Sequence, residues 1–243
     1  MKTLYLDLTM GAAGDMLTAA LLELAPDPPA ALEMLNGLNI PNVVFEAEKG
    51  EKMGVPGTHM KVLVHGEEEG DRHHHTHRTL TDVARILDNL NASPWVRDQA
   101  KQVYRRIARA EGTVHGEPVT LVHFHEVGAL DAIADVAAVC ALLELLAPET
   151  ICASPVHTGY GTVRCAHGEL PVPAPATALL LQGIPSRPGD VKGELCTPTG
   201  AALVGQFAEH FGALPEMRSA REGVGLGRKN FEKPNCLRAI LGE

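Results

Sequence analysis

Apolar and polar positions alternate over Lys2–Leu8, with Leu4, Leu6 and Leu8 on one side, a period of two that predicts a strand. After the loop Thr9-Met10-Gly11-Ala12-Ala13-Gly14, apolar residues recur at helical spacing from Asp15 through Leu17, Leu21, Leu22 and Leu24, and Pro26 ends the run. The same reading predicts a helix over Pro29–Leu38, then strands over Val43–Glu48 and Thr58–His65. Leu80–Leu90 and Pro94–Val114 follow as helices, the second with Val96, Ala100, Val103, Ile107 and Ala110 on one stripe. Val119–Val127 reads as a strand. Asp131–Leu146 is apolar almost all round, through Ile133, Val136, Val139, Cys140, Leu142 and Leu143, which predicts a helix buried centrally. Ile151–Val156 is a further strand.

From Gly159 the pattern breaks into short pieces. Strands are expected near Gly161–Cys165, Ile184–Pro188, Ala220–Leu226 and Cys236–Leu241, and helices over Ala174–Gln182 and Gly200–Phe211. The fold class that follows is mixed α/β: interleaved strands and helices, then a strand- and loop-rich second half, with a strand order that the pattern does not give. One region is expected over residues 1–243, with any weak boundary near 148–155. Gly66–His77 carries acidic residues and then histidines, with nothing apolar to bury, and is expected to be a mobile loop.

Composition narrows the function. A chain of 243 residues can bury a substantial core, and a formal charge of −9 argues against nucleic acid as the main partner. No apolar run is long enough to span a membrane, and no N-terminal signal pattern is present. Five dispersed cysteines without a Cys-x-x-Cys pair read as reduced thiols of a cytoplasmic protein.

Histidine is the unusual component, at twelve residues. His73, His74, His75 and His77 form a tract suited to collecting a borderline metal such as nickel or zinc. His123-Phe124-His125-Glu126 is the sharpest local constellation. On a strand His123 and His125 share a face. On the following helix Asp131 and Asp135 share a face, and the turn through Gly128 would let both pairs converge. Two imidazoles with carboxylates suit Ni, Mn, Fe or Zn rather than Ca or Mg. Asp131 would equally serve as a helix-start acid, and the histidines as hydrogen-bonded core residues. Two aspartates on an apolar helix weigh toward function, because burying charge without a partner is costly. The candidate catalytic residues are therefore His123, His125, Glu126, Asp131 and Asp135, with His123, His125 and Asp131 also as metal ligands.

Glycine-rich and polar turns supply candidates for holding an anionic ligand. Gly11 and Gly14 bracket the entry to the first helix beside Asp15, where free N–H groups can meet an anion, although a tight turn accounts for the glycines equally. Glu194-Leu195-Cys196-Thr197-Pro198-Thr199-Gly200 is a second strand-to-helix junction, with Thr197 as N-cap and Pro198 at the first helical position. Thr199 and Gly200 stand with it as candidates. Gly223-Val224-Gly225-Leu226-Gly227-Arg228-Lys229 sets glycines beside two cations, as a phosphate site or a tight strand with a basic turn would. Lys229 and Arg238 are its polar candidates. His157, Cys165 and His167 frame another polar cluster.

The segments from Asp7 through Gly14-Asp15-Met16, His123-Phe124-His125-Glu126-Val127-Gly128 with Asp131 and Asp135, Ser154-Pro155-Val156-His157, Cys165-Ala166-His167-Gly168, Pro171-Val172-Pro173-Ala174-Pro175, Glu194 to Gly200 and Lys229 to Arg238 occur in order along the whole chain. Together they resemble the LarC family of nickel-insertion proteins, which mature the nickel-pincer nucleotide of lactate racemase. The resemblance implies a nickel chelatase (a lyase) that inserts Ni²⁺ into pyridinium-3,5-bisthiocarboxylic acid mononucleotide, forming a carbon–nickel bond. It also implies consumption of CTP, assistance by Mn²⁺ or Mg²⁺, and a C-terminal domain or chain to which CTP binding is assigned. This chain is then the N-terminal portion, expected to assemble as a homo-oligomer. A nickel metallochaperone or store and a metal-dependent phosphoester hydrolase are the rival readings.

Overall fold

The computed structural model of the chain describes residues 1–68, 78–124, 126–165 and 168–243. β1 (Thr3–Asp7) leads into α1 (Gly14–Leu24), and α2 (Pro28–Asn36) follows. Asp27 caps α2 by accepting from the Ala30 amide at 3.1 Å, and prolines open the helix where no N–H is needed. β2 (Val43–Lys52) and β3 (Val55–Val64) form a long antiparallel hairpin, longer at its turn end than the alternation predicts. β4 (Glu67–Glu68) pairs back onto β3, so these two residues of the expected loop are strand. Residues 69–77 of that expected loop, including His73, His74, His75 and His77, lie outside the described residues, as do His125 and His167.

β5 (Arg78–Thr79) runs into α3 (Leu80–Asp88), which Thr79 and Asp82 start with a reciprocal capping box. α4 (Pro94–His115) begins on a Ser93 cap, and the predicted stripe Val96, Ala100, Val103, Ile107 and Ala110 is its buried face. The next segment departs from expectation. Only β6 (His123–Phe124) pairs, with β5, because Pro118 starts a turn closed by the Leu121 amide at 2.8 Å. α5 (Leu130–Leu146) is buried on nearly every side.

The second half is built of short pieces: β7 (Thr150–Ala153), β8 (Val156–His157), β9 (Gly159–Tyr160), β10 (Thr162–Cys165) and β11 (Gly168–Pro171). Then come α6 (Pro175–Leu180), β12 (Ser186–Arg187), β13 (Gly193–Glu194), α7 (Pro198–Phe207), β14 (His210–Phe211), β15 (Ser219–Leu226) and β16 (Cys236–Gly242). α7 stops earlier than its periodicity suggests, since His210–Phe211 pair with the edge of β7 instead.

One sheet organises these pieces, in the order β14-β7-β1-β16-β15-β3-β2 with β4 against β3. β14, β7 and β1 run parallel, β16 is antiparallel to both β1 and β15, and β15 meets β3 in parallel. The fold is mixed α/β. α1 lies close on β15: a Cβ at Gly225 would run into the Met16 carbonyl, and one at Gly223 into that of Ala20. Those glycines serve packing of a helix rather than a phosphate. α5 packs against α1 and α4, where Ile133, Val136, Cys140 and Leu142 are fully buried. Each such Leu or Ile contributes about 2 kcal/mol of burial free energy. Among the described residues no helix is long and apolar enough to cross a membrane.

Candidate functional site: a carboxylate-lined cavity

α1 leaves the carboxyl end of β1 and α5 ends at the turn before β7, so the N-termini of both helices lie toward the carboxyl ends of these parallel strands. Ligands of open α/β sheets gather there. A cavity of about 520 Å³ opens at this place, lined by residues at the starts of α1, α5, α6 and α7, by the end of α4 and by the β10–β11 hairpin.

The 126–130 turn is held from below. The Tyr104 hydroxyl donates to the Val127 carbonyl at 2.9 Å, and Arg78 donates to that of Gly128 at 2.7 Å. This fixes where α5 begins. Its N-cap is Ala129, with no side-chain cap bond, and Asp131 sits in the first turn facing the cavity. α1 is built alike: Ala13 is the uncapped N-cap and Asp15 the first-turn acid. α6 starts uncapped as well, on Ala174. Asp131 and Asp15 are thus first-turn acids of their helices, and neither makes a side-chain cap bond. Asp15 instead takes its own neighbour's amide, Met16, at 2.8 Å.

Asp135, one turn beyond Asp131, completes a group of three carboxylates. Gly14 exists to admit it, since a Cβ there would lie 2.5 Å from Asp135 Oδ2. The electrostatics are unfavourable. Burial, then the charges of Asp15 and Asp131, push the Asp135 carboxyl well above its ordinary range, against the pull of Arg228. Asp15 is pushed up to about 6, chiefly by burial with Asp131 adding, while the Met16 amide and Arg228 oppose the rise. Oδ1 of Asp131 and Oδ1 of Asp135 are buried and, among the described residues, accept no hydrogen bond. Most buried polar atoms are paired, so two orphans on adjacent turns of one helix call for an explanation.

Around this floor stand further charges. Glu194 meets Lys229 at 3.4 Å, and Glu68 meets Arg228 at 3.4 Å. Burial nevertheless raises Glu194 above its usual range. Glu126, Arg164 and Cys165 also line the cavity. Thr197 caps α7 by accepting from the Gly200 amide at 3.1 Å, and Thr197 and Thr199 face the cavity.

The cavity thus gathers Glu126, Asp131, Asp135, Gly14, Asp15, Thr197, Thr199 and Lys229 from the predicted set. Others are elsewhere. His123 is exposed on β6 opposite Thr79 and does not line the cavity, because the alternation that buries Val122 and Phe124 turns it outward. The expected convergence of His123 with Asp131 and Asp135 is not formed. Gly11 and Gly200 bring two loops together: the Ala12 amide donates to Leu195 O at 3.1 Å, and a Cβ at Gly200 would strike the Ala12 carbonyl. Arg238 bonds Glu222 at 2.6 Å and approaches Asp7 at 3.8 Å on β16, away from the cavity lining. His157 accepts from Arg187 Nε at 2.6 Å, and burial followed by the Arg187 charge lowers its pKa.

Sequence reasoning missed Glu111 and His115, which line the cavity from the end of α4 and pair at 3.4 Å. The signal was present: they continue the buried stripe from Ile107 at i+4 steps, with polar residues where apolar ones should stand. Among the described residues, no three His, Cys, Asp or Glu side chains are placed to enclose one metal ion.

The family model described as nickel insertion protein matches residues 4–243. The chain belongs to the nickel insertion protein family. It is 41% identical over 243 residues to a Desulfitobacterium hafniense (strain DSM 10664 / DCB-2) protein named pyridinium-3,5-bisthiocarboxylic acid mononucleotide nickel insertion protein, covering 100% of this chain and 59% of that one. A Geobacillus kaustophilus (strain HTA426) protein of the same name is 39% identical over 248 residues, covering 100% of this chain and 60% of the relative. A Geobacter sp. (strain M21) relative, also named for nickel insertion, is 43% identical over 244 residues, covering 100% and 62%. The chain therefore spans about 60% of the length of these curated relatives. No solved structure matches it.

Proposed function

We propose that this chain carries the nickel-receiving cavity of a nickel insertion protein, and that its substrates are Ni²⁺ and pyridinium-3,5-bisthiocarboxylic acid mononucleotide. The observation that carries this reading is the pair of buried, unpartnered carboxylate oxygens of Asp131 and Asp135 on a cavity of about 520 Å³. That volume is in the range of small-ligand sites. Anions held together against their own burial and repulsion are relieved by a cation. The uncapped starts of α1, α5 and α6 leave first-turn N–H groups for the anionic groups of a mononucleotide, with Arg164, Arg228 and Lys229 lining the same cavity. Nickel would then lie between the aspartates and the thiocarboxylates, neutralising both.

For the Mn²⁺ or Mg²⁺ that the resemblance implies, Asp131 and Asp135 would offer the hard oxygen donors such an ion takes, although among the described residues no three carboxylates enclose one ion. When bound, such an ion would supply charge neutralisation. No residue of this chain is assigned to CTP. The reading extends to the remaining part of the relatives' length, joined or separate, as a partner, to a homo-oligomeric assembly, and to a cytoplasmic setting in keeping with five unpaired cysteines.

Nickel incorporation into the mononucleotide, followed by the absorbance of the product with the chain and its C-terminal partner, tests the proposal. Incorporation should collapse in an Asp131→Asn/Asp135→Asn variant. Nickel delivery at the parental rate by that variant would favour a carrier acting without the cavity, and phosphoester cleavage without the mononucleotide would favour the hydrolase reading.

A further inference from the structure

Among the described residues lining the cavity, His115 is the one imidazole. It is the last residue of α4, whose C-cap Gly116 takes the left-handed conformation with φ of 67°. Its Nε2 lies 3.4 Å from Oε2 of Glu111, one turn earlier, and Glu111 faces the cavity too. The rest of the polar lining is carboxylate, guanidinium, ammonium and threonine hydroxyl, with the thiol of Cys165 on the β10–β11 hairpin. The donors therefore divide by chemistry: hard oxygens at the starts of α1 and α5, and a borderline nitrogen at the end of α4. Nickel favours the nitrogen, whereas magnesium and manganese favour the oxygens.

The position suits a cation for a second reason. The last carbonyls of a helix carry partial negative charge, so the end of α4 attracts a cation, while the starts of α1 and α5 favour anions. A carboxylate beside a ligating imidazole also orients the ring and raises its basicity.

We infer that His115, positioned by Glu111, is the nitrogen ligand that receives nickel inside the cavity. This rests on the proposed function and adds the metal's point of entry to it. Among the described residues the pair offers nickel two donors, which leaves coordination positions for the thiocarboxylate sulfurs named in the relatives' substrate. An i,i+4 Glu–His pair can also serve only to end a helix, and the variants below separate that role from ligation.

The test uses the full chain with His73, His74, His75 and His77 replaced by Ala, so that the histidine tract does not mask the cavity. Calorimetric titration with Ni²⁺ alone, and nickel-edge X-ray absorption, are the readouts. The parent background should bind one nickel ion with imidazole scattering. His115→Ala should weaken binding at least tenfold and remove that scattering. His115→Lys keeps a donor that can pair with Glu111 at the helix end, so the thermal midpoint should stay while nickel binding falls as in the Ala variant. Glu111→Gln should weaken binding by a smaller factor. Equal nickel affinity in the His115→Lys chain and its background overturns the inference, as does a background that binds no nickel. Because binding is read without the mononucleotide, its failure separates from failure of the function. His115-dependent binding without nickel insertion would remove the function and keep this site, and insertion with binding indifferent to His115 would do the reverse.

Discussion

At the end of β1, Asp7 accepts from Thr9 at 2.7 and 3.1 Å and is approached by Arg238, which also holds Glu222. Eight residues on, Asp15 belongs with Asp131 and Asp135 to a group in which two buried oxygens have no donor and burial drives protons on. Both regions are acidic, both adjoin the same strand, and both carry residues that the sequence motifs singled out. The first is satisfied by its own neighbours and behaves as structure. The second is unsatisfied and faces a cavity. Pairing, rather than the density of charge, separates a structural cluster from one built to meet a ligand.

The comparison is broken most severely by neutralising the floor. In the Asp131→Asn/Asp135→Asn variant, nickel incorporation into the mononucleotide should fall at least about 100-fold, equivalent to about 2.7 kcal/mol at the transition state. Parental rates would return the cluster to the structural class. Next in size is Gly14→Ala, whose methyl meets the Asp135 carboxylate. Overpacking of this kind costs about 1–3 kcal/mol, read as a lower thermal midpoint.

The third effect has the opposite sign. The folded-state pKa of Asp15, about 6, lies above the unfolded value near 3.8, so the stability it contributes is full below pH 4 and is lost as pH rises through 6. Asp135 is raised too and extends that loss upward in pH. The metal-free chain should therefore lose stability between about pH 4 and 6 on account of Asp15, by about 1–3 kcal/mol, with Asp135 continuing the loss at higher pH. Asp135→Asn should flatten the profile and raise the denaturation midpoint at pH 7.5. A variant less stable than the parent at that pH would contradict the reading. Smallest is Arg238→Ala in the paired cluster: a change within about 0.5–1 kcal/mol, as for exposed ion pairs, and nickel incorporation untouched.

Much of this architecture was legible from periodicity. The stripe on α4, the all-round burial of α5 and the alternation of β1 follow from single positions, because burial of each residue depends on its own face of its own element. The order of the sheet was not legible. β16 lies between β1 and β15 although α7, β14 and most of the fold separate it in sequence from β1, and no local pattern encodes that choice. The site was legible in part. Asp131 and Asp135 were marked because carboxylates on an apolar helix violate its pattern. The role of Asp15 was hidden, since a first-turn acid looks like a cap and only tertiary packing brings it to α5. His123 misled because a shared strand face was read without knowing which face the core would take. Glu111 and His115 were passed over because a helix end is where polar residues are expected.

The central claim is that burial raises the affinity of Asp15 and Asp135 for protons and that a cation meeting the floor displaces them. Nickel titration of the chain lacking the loop histidines, at pH 6.5 in buffers of differing ionisation enthalpy, counts the protons released on binding. The account predicts net proton release with the parental floor and a clearly smaller release in Asp135→Asn. Equal proton counts in the two chains would contradict it.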